Sequence, residues 1–594
     1  MAFSKIPIAS GLQSDKSDYS SGPVWVDGDK VRFQQNEPEP IGGWESDSNF
    51  DVALGAPSNT HIWRDLGGND LMVVGTPERL YIFKNGIQFD ITPIRATSSN
   101  QNNCFTTTND SVIVSVLDSA HLALAGDWIV ISASAAVGGI TPNGYYQITA
   151  VTDANNFTIT HTSAATSAVA GGGGGATDIE YLLATGFAVS TPGLGWGADV
   201  WGAGTWDTPR TLSNISLAPS LWTFDNWGED LVASRGGGLM YHWDASSGTG
   251  TRAAVISNAP ITAKFILVSV PDRHLIAFGA HDGSNNDPLL VAWANRETLT
   301  TWAPSATNTA GSQRLHLGAE IVAAIQTRDQ ILIWTDEALF AMLSNAGEFV
   351  FSFRALATGC AAAGQNSVVN QNGLVFWMGK HNFYHYTGSA KILPCSVHDH
   401  VFNDINPDRY DMIYSGTNKK FTEIWWHYAS KSSADFNNKY VAFNYLTGEW
   451  SYGTLSRSVW FDSSGWLSNP GAYGSDGKFY YHEKGTSADG EALNWSIKSG
   501  TIEIPAAGEN KFLINRYVPN VSQQTGDVTL TMYYKNYPND SESSKSYTLT
   551  SSTEKISTRI KGRELKFEYS SSSIDSFAKI GNTHRIDWRK SSRR

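Results

Sequence analysis

Short runs of apolar residues, each followed by a polar turn, recur along most of the chain. The runs are rich in aromatic and β-branched residues, and glycine, asparagine or aspartate separates one run from the next. Such runs predict β-strands joined by tight turns, because branched and aromatic side chains fit a pleated surface. The residues between them favour chain reversal. The pattern therefore predicts an all-β protein.

The runs group into units that resemble one another. Each unit has two or three short strands, and its last strand usually ends in aromatic residues. A sheet this small cannot bury both faces alone, whereas repetition around an axis lets each sheet pack on the next. The rhythm predicts a β-propeller of six or seven irregular blades, and a pair of β-sandwiches is the alternative. The units lie at residues 61–84, 221–243, 274–278, 321–342, 367–386, 423–445 and 471–481.

A segment after the first unit interrupts this rhythm. Residues 104–184 contain one tryptophan, Trp128, and predict a small β-barrel-like module that projects from the propeller. Turn residues such as Asn155-Asn156 close its hairpins. Its predicted strands are residues 111–117, 127–132, 145–152 and 156–162.

Two glycine-rich segments follow. The five glycines at residues 171–175 lack the Lys-Ser/Thr pair of a phosphate-binding loop, so we interpret them as a flexible return linker. Residues 193–206 combine glycine with three tryptophans. They predict a packed loop or, alternatively, a contact surface for a neighbouring subunit.

The last part of the chain has a different pattern. Its strands at residues 528–534 and 565–569 alternate apolar and polar positions, which is typical of a sandwich with one solvated face. We therefore divide the chain into four segments. These are 1–103 (N-terminal segment and first blade or blades), 104–184 (inserted module), 185–495 (remaining propeller) and 496–594 (C-terminal β-sandwich-like domain with a basic tail).

Charge is distributed unevenly along the 594 residues, whose net charge is −13. Residues 559–594 hold ten Lys or Arg and four Asp or Glu, a local balance of +6. This asymmetry predicts a docking site for an acidic partner or for the acidic surface of another copy. Cations that protect a solvated edge strand are the alternative. The overall acidity argues against a nucleic-acid coat, although an acidic wall would let a duplex slide past.

Cysteines and apolar stretches set further limits. Cys104, Cys360 and Cys395 give no disulfide framework. The first residues lack a basic region followed by an apolar one, and no stretch reaches the ~18 apolar residues of a membrane span. We expect a protein assembled in the cytosol.

Two histidine pairs are the candidates for metal binding. His381 and His385 lie four residues apart on a predicted strand, which holds them too far apart to share a metal easily. His398 and His400 are closer to ligand spacing, but no third ligand is near in sequence. Common hydrolase and zinc motifs are absent from the sequence. We predict no catalytic, cofactor-binding or metal residues.

Carbohydrate chemistry is the main alternative. Residues 474–479 resemble one partial Asp-box turn of sialidase-like propellers without its Thr-Trp ending, and otherwise predict a plain β-turn. Trp425 and Trp426, or the loop at residues 193–206, could stack on sugars. The sequence thus keeps a glycan-binding or glycan-degrading propeller as the second possibility.

Both ends of the chain resemble one family. The start resembles phage tail hub proteins, which include the packaged-DNA stabilisation and tail nozzle proteins of short-tailed phages. Its matching residues are 10–15, Tyr19, 25–33 and 40–44. The end resembles the same group's Arg-x-x-Gly-Arg, Gly, Arg-x-Asp and terminal Arg-Arg pattern. The matching residues are Arg559, Gly562-Arg563, Gly581, Arg585-Ile-Asp587 and Arg593-Arg594. Residues 126–132 and 143–152 resemble β-modules that recur in phage structural proteins.

The resemblance implies a virion component that forms a ring of six copies around a central channel, below the portal and its adaptor. It implies retention of packaged DNA, passage of DNA at ejection without sequence-specific binding, and docking of tail fibres or a needle. It implies neither an enzyme nor a cofactor. We expect the basic tail to pair subunits, so removal of residues 590–594 should weaken assembly.

Overall fold

The computed structural model describes residues 3–16, 22–190, 219–270, 272–345, 350–433, 435–464, 466–504 and 510–591. These residues form short antiparallel sheets with few helical turns, which confirms the all-β, propeller-like prediction. The chain divides into two compact units, Val52–His316 and the combination of Met1–Asp51 with Leu317–Arg594. The predicted domain boundaries themselves stay a prediction.

The unit Val52–His316 contains three four-stranded meanders, which we call blades 1 to 3. Blade 1 consists of Asn59–Arg64, Asp70–Gly75, Leu80–Lys84 and Ile87–Asp90. Blade 2 consists of Trp222–Trp227, Asp230–Arg235, Met240–Trp243 and Ala254–Val255. Blade 3 consists of Phe265–Val268, Leu275–Phe278, Leu290–Trp293 and Gly311–Arg314.

The other unit contains blades 4 to 7. Blade 4 consists of Ile321–Gln326, Ile331–Thr335, Ala338–Ser344 and Phe351–Thr358. Blade 5 consists of Val368–Gln371, Leu374–Met378, Phe383–Tyr386 and Ala390–Ile392. Blade 6 consists of Tyr414–Asn418, Glu423–Tyr428, Lys439–Asn444 and Trp450–Thr454. Blade 7 consists of Val459–Phe461, Gly471–Tyr473, Phe479–His482 and, from the start of the chain, Trp44–Ser46.

Each predicted repeat unit corresponds to one blade of the described structure. Within a unit of the molecule, the first strand of a blade contacts the first strand of the next. Tryptophans fill the space between blades: Trp222 donates its indole N–H to the carbonyl of Thr76 at 2.7 Å, and Trp460 donates to Thr417 at 3.0 Å. A Cβ at Gly416 would collide with the Trp460 ring, so glycine is required there. The same arrangement occurs at Gly75, where a Cβ would collide with the Trp222 ring.

The inserted module is one eight-stranded antiparallel sheet around its own apolar core. All four predicted strands are present as Ile113–Leu117, Trp128–Ser132, Gly144–Asp153 and Asn156–Thr160. The other four strands, which were not predicted, are Ile94–Gln101, Phe105–Thr107, Val169–Gly172 and Thr177–Leu182.

The interpretation of residues 171–175 as a flexible linker is wrong. Val169–Gly172 is a strand that pairs with Phe105–Thr107. Gly173 has φ +103°, and a Cβ there would collide with the Phe105 ring. Glycine therefore serves close packing and a left-handed turn at this point.

Two packed sheets form a sandwich at the end of the chain, and both include strands from its beginning. The first sheet is ordered Phe3–Pro7, Thr583–Lys590, Phe512–Val518, Ile556–Gly562. The second is ordered Ala9–Leu12, Val24–Asp29, Trp495–Ser499, Glu564–Ser571, Val528–Lys535, Ser543–Leu549, with Ile502–Glu503 beside Glu564–Ser571. Apolar side chains of both sheets belong to one buried cluster.

Smaller elements complete the described structure. Val31–Gln34 and Glu37–Pro40 form a hairpin, and Val521–Thr525 pairs with Phe577–Ile580 in another two-stranded sheet. One α-helical turn covers His398–Phe402. The 3₁₀ turns are Ser48–Phe50, Ala245–Ser247 and Pro407–Met412.

Candidate functional site

Trp425 and Trp426 cannot serve as a sugar platform. They are 1% and 0% exposed, on the second strand of blade 6. The Trp425 ring stacks on Trp460 at 5.1 Å between centroids, and the Trp426 indole donates to the Ser367 carbonyl. These aromatic residues are blade-packing residues, and this part of the glycan interpretation is wrong. The other proposed platform, residues 193–206, lies outside the described residues.

The histidine pairs do not converge on a common point. His398 Nε2 lies 2.8 Å from the carbonyl oxygen of His381, whereas His400 stacks on Tyr452 at 3.7 Å between centroids. The side chain of His385 packs beside Phe376. No group of three His, Cys, Asp or Glu residues with a geometry suited to a metal ion occurs among the described residues.

The Asp-box-like segment is a simple turn. Gly474 donates to the carbonyl of Lys478 at 2.9 Å, and the Asp476 carboxylate accepts from the Lys478 amide at 3.2 Å. The turn joins the second and third strands of blade 7, as the β-turn interpretation predicts.

The described part of the chain also contains no helix of the length and apolar character that a membrane crossing needs.

A buried ion cluster connects the start of the chain to blades 6 and 7. The Arg32 side chain, 1% exposed, pairs with Glu423 at 3.2 Å and donates from Nη1 to Glu483 at 2.8 Å. Its guanidinium also lies 3.7 Å over the Phe421 ring. The Glu483 carboxylate accepts from Asn418 at 2.8 Å. One cation therefore compensates two carboxylates in a dry environment.

Burial controls the protonation of this cluster. Burial alone would lower the pKa of Arg32, but the carboxylates of Glu423 and Glu483 reverse this shift and raise the pKa above its usual value. Burial raises the pKa of Glu423 to about 7, although Arg32 acts against this shift. The buried His427 beside the cluster has its pKa lowered to about 3 by burial and by Arg457. The role of the cluster is therefore structural: it holds the start of the chain against blades 6 and 7.

The strongest candidate for an external site is the outer surface of the first sandwich sheet. On Ile556–Gly562 the buried residues alternate with exposed Ser557, Arg559 and Lys561. Arg585 and Arg589 are exposed on Thr583–Lys590. Lys5 lies directly opposite Arg585, and Arg516 lies opposite Ser557 on one side and Asp587 on the other.

We call this surface the basic face. It consists of Lys5, Arg516, Arg559, Lys561, Arg585 and Arg589. The carboxylate on the same face, Asp587, is only 5% exposed. Like charges placed directly across two strands repel each other, so the pair of Lys5 and Arg585 does not favour folding. The basic face fits a binding role for an anionic partner.

Edge protection accounts for only part of the basic face. The sheet order places Phe3–Pro7 and Ile556–Gly562 at its edges, where cations discourage unwanted pairing. Arg516, Arg585 and Arg589, however, lie on the two central strands. The edge-strand explanation therefore leaves half of the cations unexplained.

Sequence reasoning found part of this site. The charge count drew attention to residues 559–594, but Lys5 and Arg516 lie outside that range. Buried and exposed positions alternate in residues 3–7 and 512–518, and Lys5 and Arg516 are at exposed positions. The strand register places both residues on the same face of the sheet. The terminal Arg593-Arg594 lie outside the described residues, as does Tyr19.

A cavity of about 360 Å³ lies in the other unit, beside blades 2 and 3. Its wall includes the Trp227 indole and the pair of His242 and Asp230, whose side chains approach to 3.1 Å. The rest of the lining is mostly apolar, with Val255 and Leu299 among the residues. An aromatic ring beside a carboxylate is a combination that can hold a small polar ligand.

Comparison with known proteins finds matches among solved structures at low sequence identity. No protein-family model matches the chain, and no curated protein matches it. Among solved structures, the phage phi92 endosialidase is 12% identical, and the match covers 80% of this chain and 74% of that chain at a TM-score of 0.20. The N-terminal domain of Nup159 is 10% identical, with 46% and 80% covered and a TM-score of 0.28. Similarity at this level does not extend to function.

Proposed function

We propose that the chain is a structural, non-enzymatic subunit of a short-tailed bacteriophage tail, one of about six copies that form a hub or nozzle ring around the DNA channel. The observation that carries the proposal is the meeting of the two chain ends that resemble hub proteins. Strand Phe3–Pro7 pairs with Thr583–Lys590. The Trp25 ring lies 6.1 Å from the His584 ring inside the same sandwich.

The two sequence motifs are separated by most of the chain, but both lie in the same sandwich. Trp25 belongs to the N-terminal motif, and Arg585 and Asp587 belong to the C-terminal one. Their strands share a hydrophobic core with blade 6 and blade 5 residues. A subunit built in this way offers a rigid body with broad outer surfaces, which suits repeated subunit contacts.

The proposed subunit acts mechanically in the virion. The ring retains packaged DNA, conducts it at ejection without sequence-specific contacts, contacts the portal–adaptor assembly and docks fibres or a needle. It uses no cofactor, and it is assembled in the host cytoplasm before it joins the tail. Its basic face is the candidate for one of these contacts.

The test is the mass of the purified protein by light scattering, together with negative-stain images of the same sample. We expect ring-shaped particles of about six copies with a central hole, either alone or after addition of the portal–adaptor assembly. Particles that stay monomeric under both conditions would contradict the proposal.

A glycan-binding tail protein is the second candidate, and the cavity beside blades 2 and 3 favours it. Trp227 could stack on a sugar ring while Asp230 accepts hydrogen bonds from its hydroxyl groups. A glycan screen with the intact protein and with Trp227→Ala tests this. Binding that the substitution abolishes supports a lectin, and release of reducing sugar supports a glycan-degrading enzyme. No binding by the intact protein excludes this function for the cavity.

A further inference from the structure

We infer that the basic face binds an acidic surface on blade 7 of a second copy of this chain, in a head-to-tail contact. The inference deepens the proposed ring, because it names the surface and its partner, and it rests on that function only for closure of the ring. The contact itself requires no more than two copies in solution. Charge complementarity between the two surfaces carries the argument.

Most of the basic face lies in a segment with excess positive charge. Residues 559–594 carry +6 in a chain of net charge −13, so the rest of the chain carries −19. The face gains Lys5 and Arg516 from outside this segment. Four of its six cations are arginines, whose planar guanidinium groups match carboxylates in a two-bond geometry. A second copy is thus an anionic partner that is always present at the concentration of the protein itself.

We call the exposed outer edge of blade 7 the acidic rim, and it consists of Glu45, Asp476, Asp489 and Glu491. The strand Trp44–Ser46 forms this edge, and the Asp489 carboxylate accepts hydrogen bonds from Ser46. Three cations reduce its charge: Lys484 pairs with Glu45 at 2.6 Å, Lys478 is exposed, and the buried Arg457 interacts with Asp476 and Asp489.

Asp476 lies in the turn before the third strand of blade 7, and Asp489 accepts a hydrogen bond from Ser46, which pairs with Tyr480 on that strand. Burial raises the pKa of the Tyr480 phenol, and the neighbouring Asp476 and Asp489 raise it further. The negative charges of both carboxylates therefore act on the same strand of blade 7. Four carboxylates against three cations leave the rim with a net charge of −1, and the carboxylates of Asp489 and Glu491 are exposed.

The basic face and the acidic rim belong to the same compact unit, and they are different surfaces, so a contact between them is heterologous. A heterologous contact leaves a free basic face on one copy and a free acidic rim on the other. Such a contact builds a closed ring when the rotation between copies closes, and an open filament when it does not.

The test uses two charge-reversed variants. The first carries Arg585→Glu with Arg589→Glu, and the second carries Asp476→Lys with Glu491→Lys. We expect each variant alone to need at least ten-fold higher concentration than the parent protein to associate, as measured by sedimentation velocity in 50 mM NaCl. An equimolar mixture should form dimers in the concentration range in which the parent associates, because the unchanged basic face of the second variant then meets the unchanged acidic rim of the first. In 1 M NaCl, where the Debye length is ~3 Å, the mixture should dissociate.

The matched control is Lys391→Glu with Lys431→Glu. These exposed lysines lie elsewhere in the same unit, and the substitutions change the net charge by the same amount. The control should associate like the parent. Circular dichroism and the thermal midpoint identify variants that fail to fold, and Arg589→Gln with Arg585→Gln then replaces the first variant.

Several outcomes would overturn the inference. They are a parent protein that stays monomeric in 50 mM NaCl, folded variants that associate as well as the parent, and a mixture that does not recover. Loss of duplex-DNA binding in a gel shift without loss of association would assign the basic face to a polyanion instead. If the parent protein forms open filaments and the mixture of variants recovers dimers, the contact stands and the proposed ring fails.

Discussion

Charged side chains have opposite roles in two regions of the same unit. In the buried cluster, Arg32 is surrounded by Glu423 and Glu483, and every one of these groups has a partner. On the basic face, Arg585 and Arg589 are exposed, and Arg585 lies directly opposite Lys5. The difference teaches that charge contributes to this fold where it is buried and compensated. Charged side chains that are exposed and of one sign are instead available for binding another molecule.

The largest expected effect is at the centre of the buried cluster. Arg32→Ala leaves two carboxylates buried without their cation, and breaking a buried pair in this way costs about 3–5 kcal/mol. We expect the free energy of unfolding in urea to fall by this amount. Arg64→Ala is the control, because its pair with Asp70 is half exposed and should contribute less than about 1 kcal/mol. Equal losses of unfolding free energy in both variants would show that the buried cluster contributes no more to stability than the half-exposed pair.

The next effect is the response to acid. Burial lowers the pKa of His427 and of His584 to about 3, well below the usual value near 6.5. Since the unfolded chain takes up these protons first, each histidine opposes folding by up to about 1.4 kcal/mol per pH unit below 6.5. We expect the thermal midpoint to fall steadily from pH 6.5 to pH 4.

Glu423 opposes this trend. Its folded pKa, raised to about 7, means that its contribution to stability is fully present below its unfolded pKa and is lost as the pH rises through 7. Glu423→Gln should therefore steepen the loss of stability on acidification. A thermal midpoint that is unchanged between pH 6.5 and pH 4 in both proteins would show that the histidines are not buried.

A smaller effect is expected in the neutral polar cluster of the sandwich. The Tyr517 hydroxyl lies 2.7 Å from His584 Nδ1, and the Tyr569 hydroxyl lies 3.1 Å from it. Tyr569→Phe removes one of these hydroxyls and should lower the free energy of unfolding by about 1 kcal/mol. Tyr533→Phe, whose hydroxyl contacts Glu568 in a partly exposed position, serves as the comparison and should lose less.

The smallest effect on stability is expected on the basic face. Arg585→Ala with Arg589→Ala should change the free energy of unfolding by no more than about 0.5 kcal/mol, because neither side chain is packed. The same variant should lose association in 50 mM NaCl. A loss of stability comparable to that of Arg32→Ala would mean that the face is structural.

The sequence could predict the blades because their pattern is local. Each blade is a meander, so its strands and turns follow one another within a few dozen residues. The strand Trp44–Ser46 was missed because its partner Phe479–His482 is far along the chain, and nothing local in Trp-Glu-Ser indicates that pairing. The strand Phe105–Thr107 was missed for a different reason, since three residues are too few to show a period.

The candidate site was only partly predictable for the same physical reason. A charge count identifies Arg585 and Arg589, whereas Lys5 joins them only through strand register. Trp425 and Trp426 show the reverse case. An aromatic pair has the same sequence signal in a buried blade strand and in an exposed sugar platform, and only the packing of the neighbouring blade distinguishes the two.

The strand Trp44–Ser46 also sets the order in which the protein can mature. Glu45 pairs with Tyr481, which the ribosome adds 436 residues later. At ordinary synthesis speeds of ~5–20 residues per second, the early strand waits roughly 20–90 s for its partner. Until then its backbone groups remain open to other chains or to chaperones. A polypeptide whose translation stops early can complete neither blade 7 nor the sandwich, so unfinished products would be excluded from assembly by their own folding.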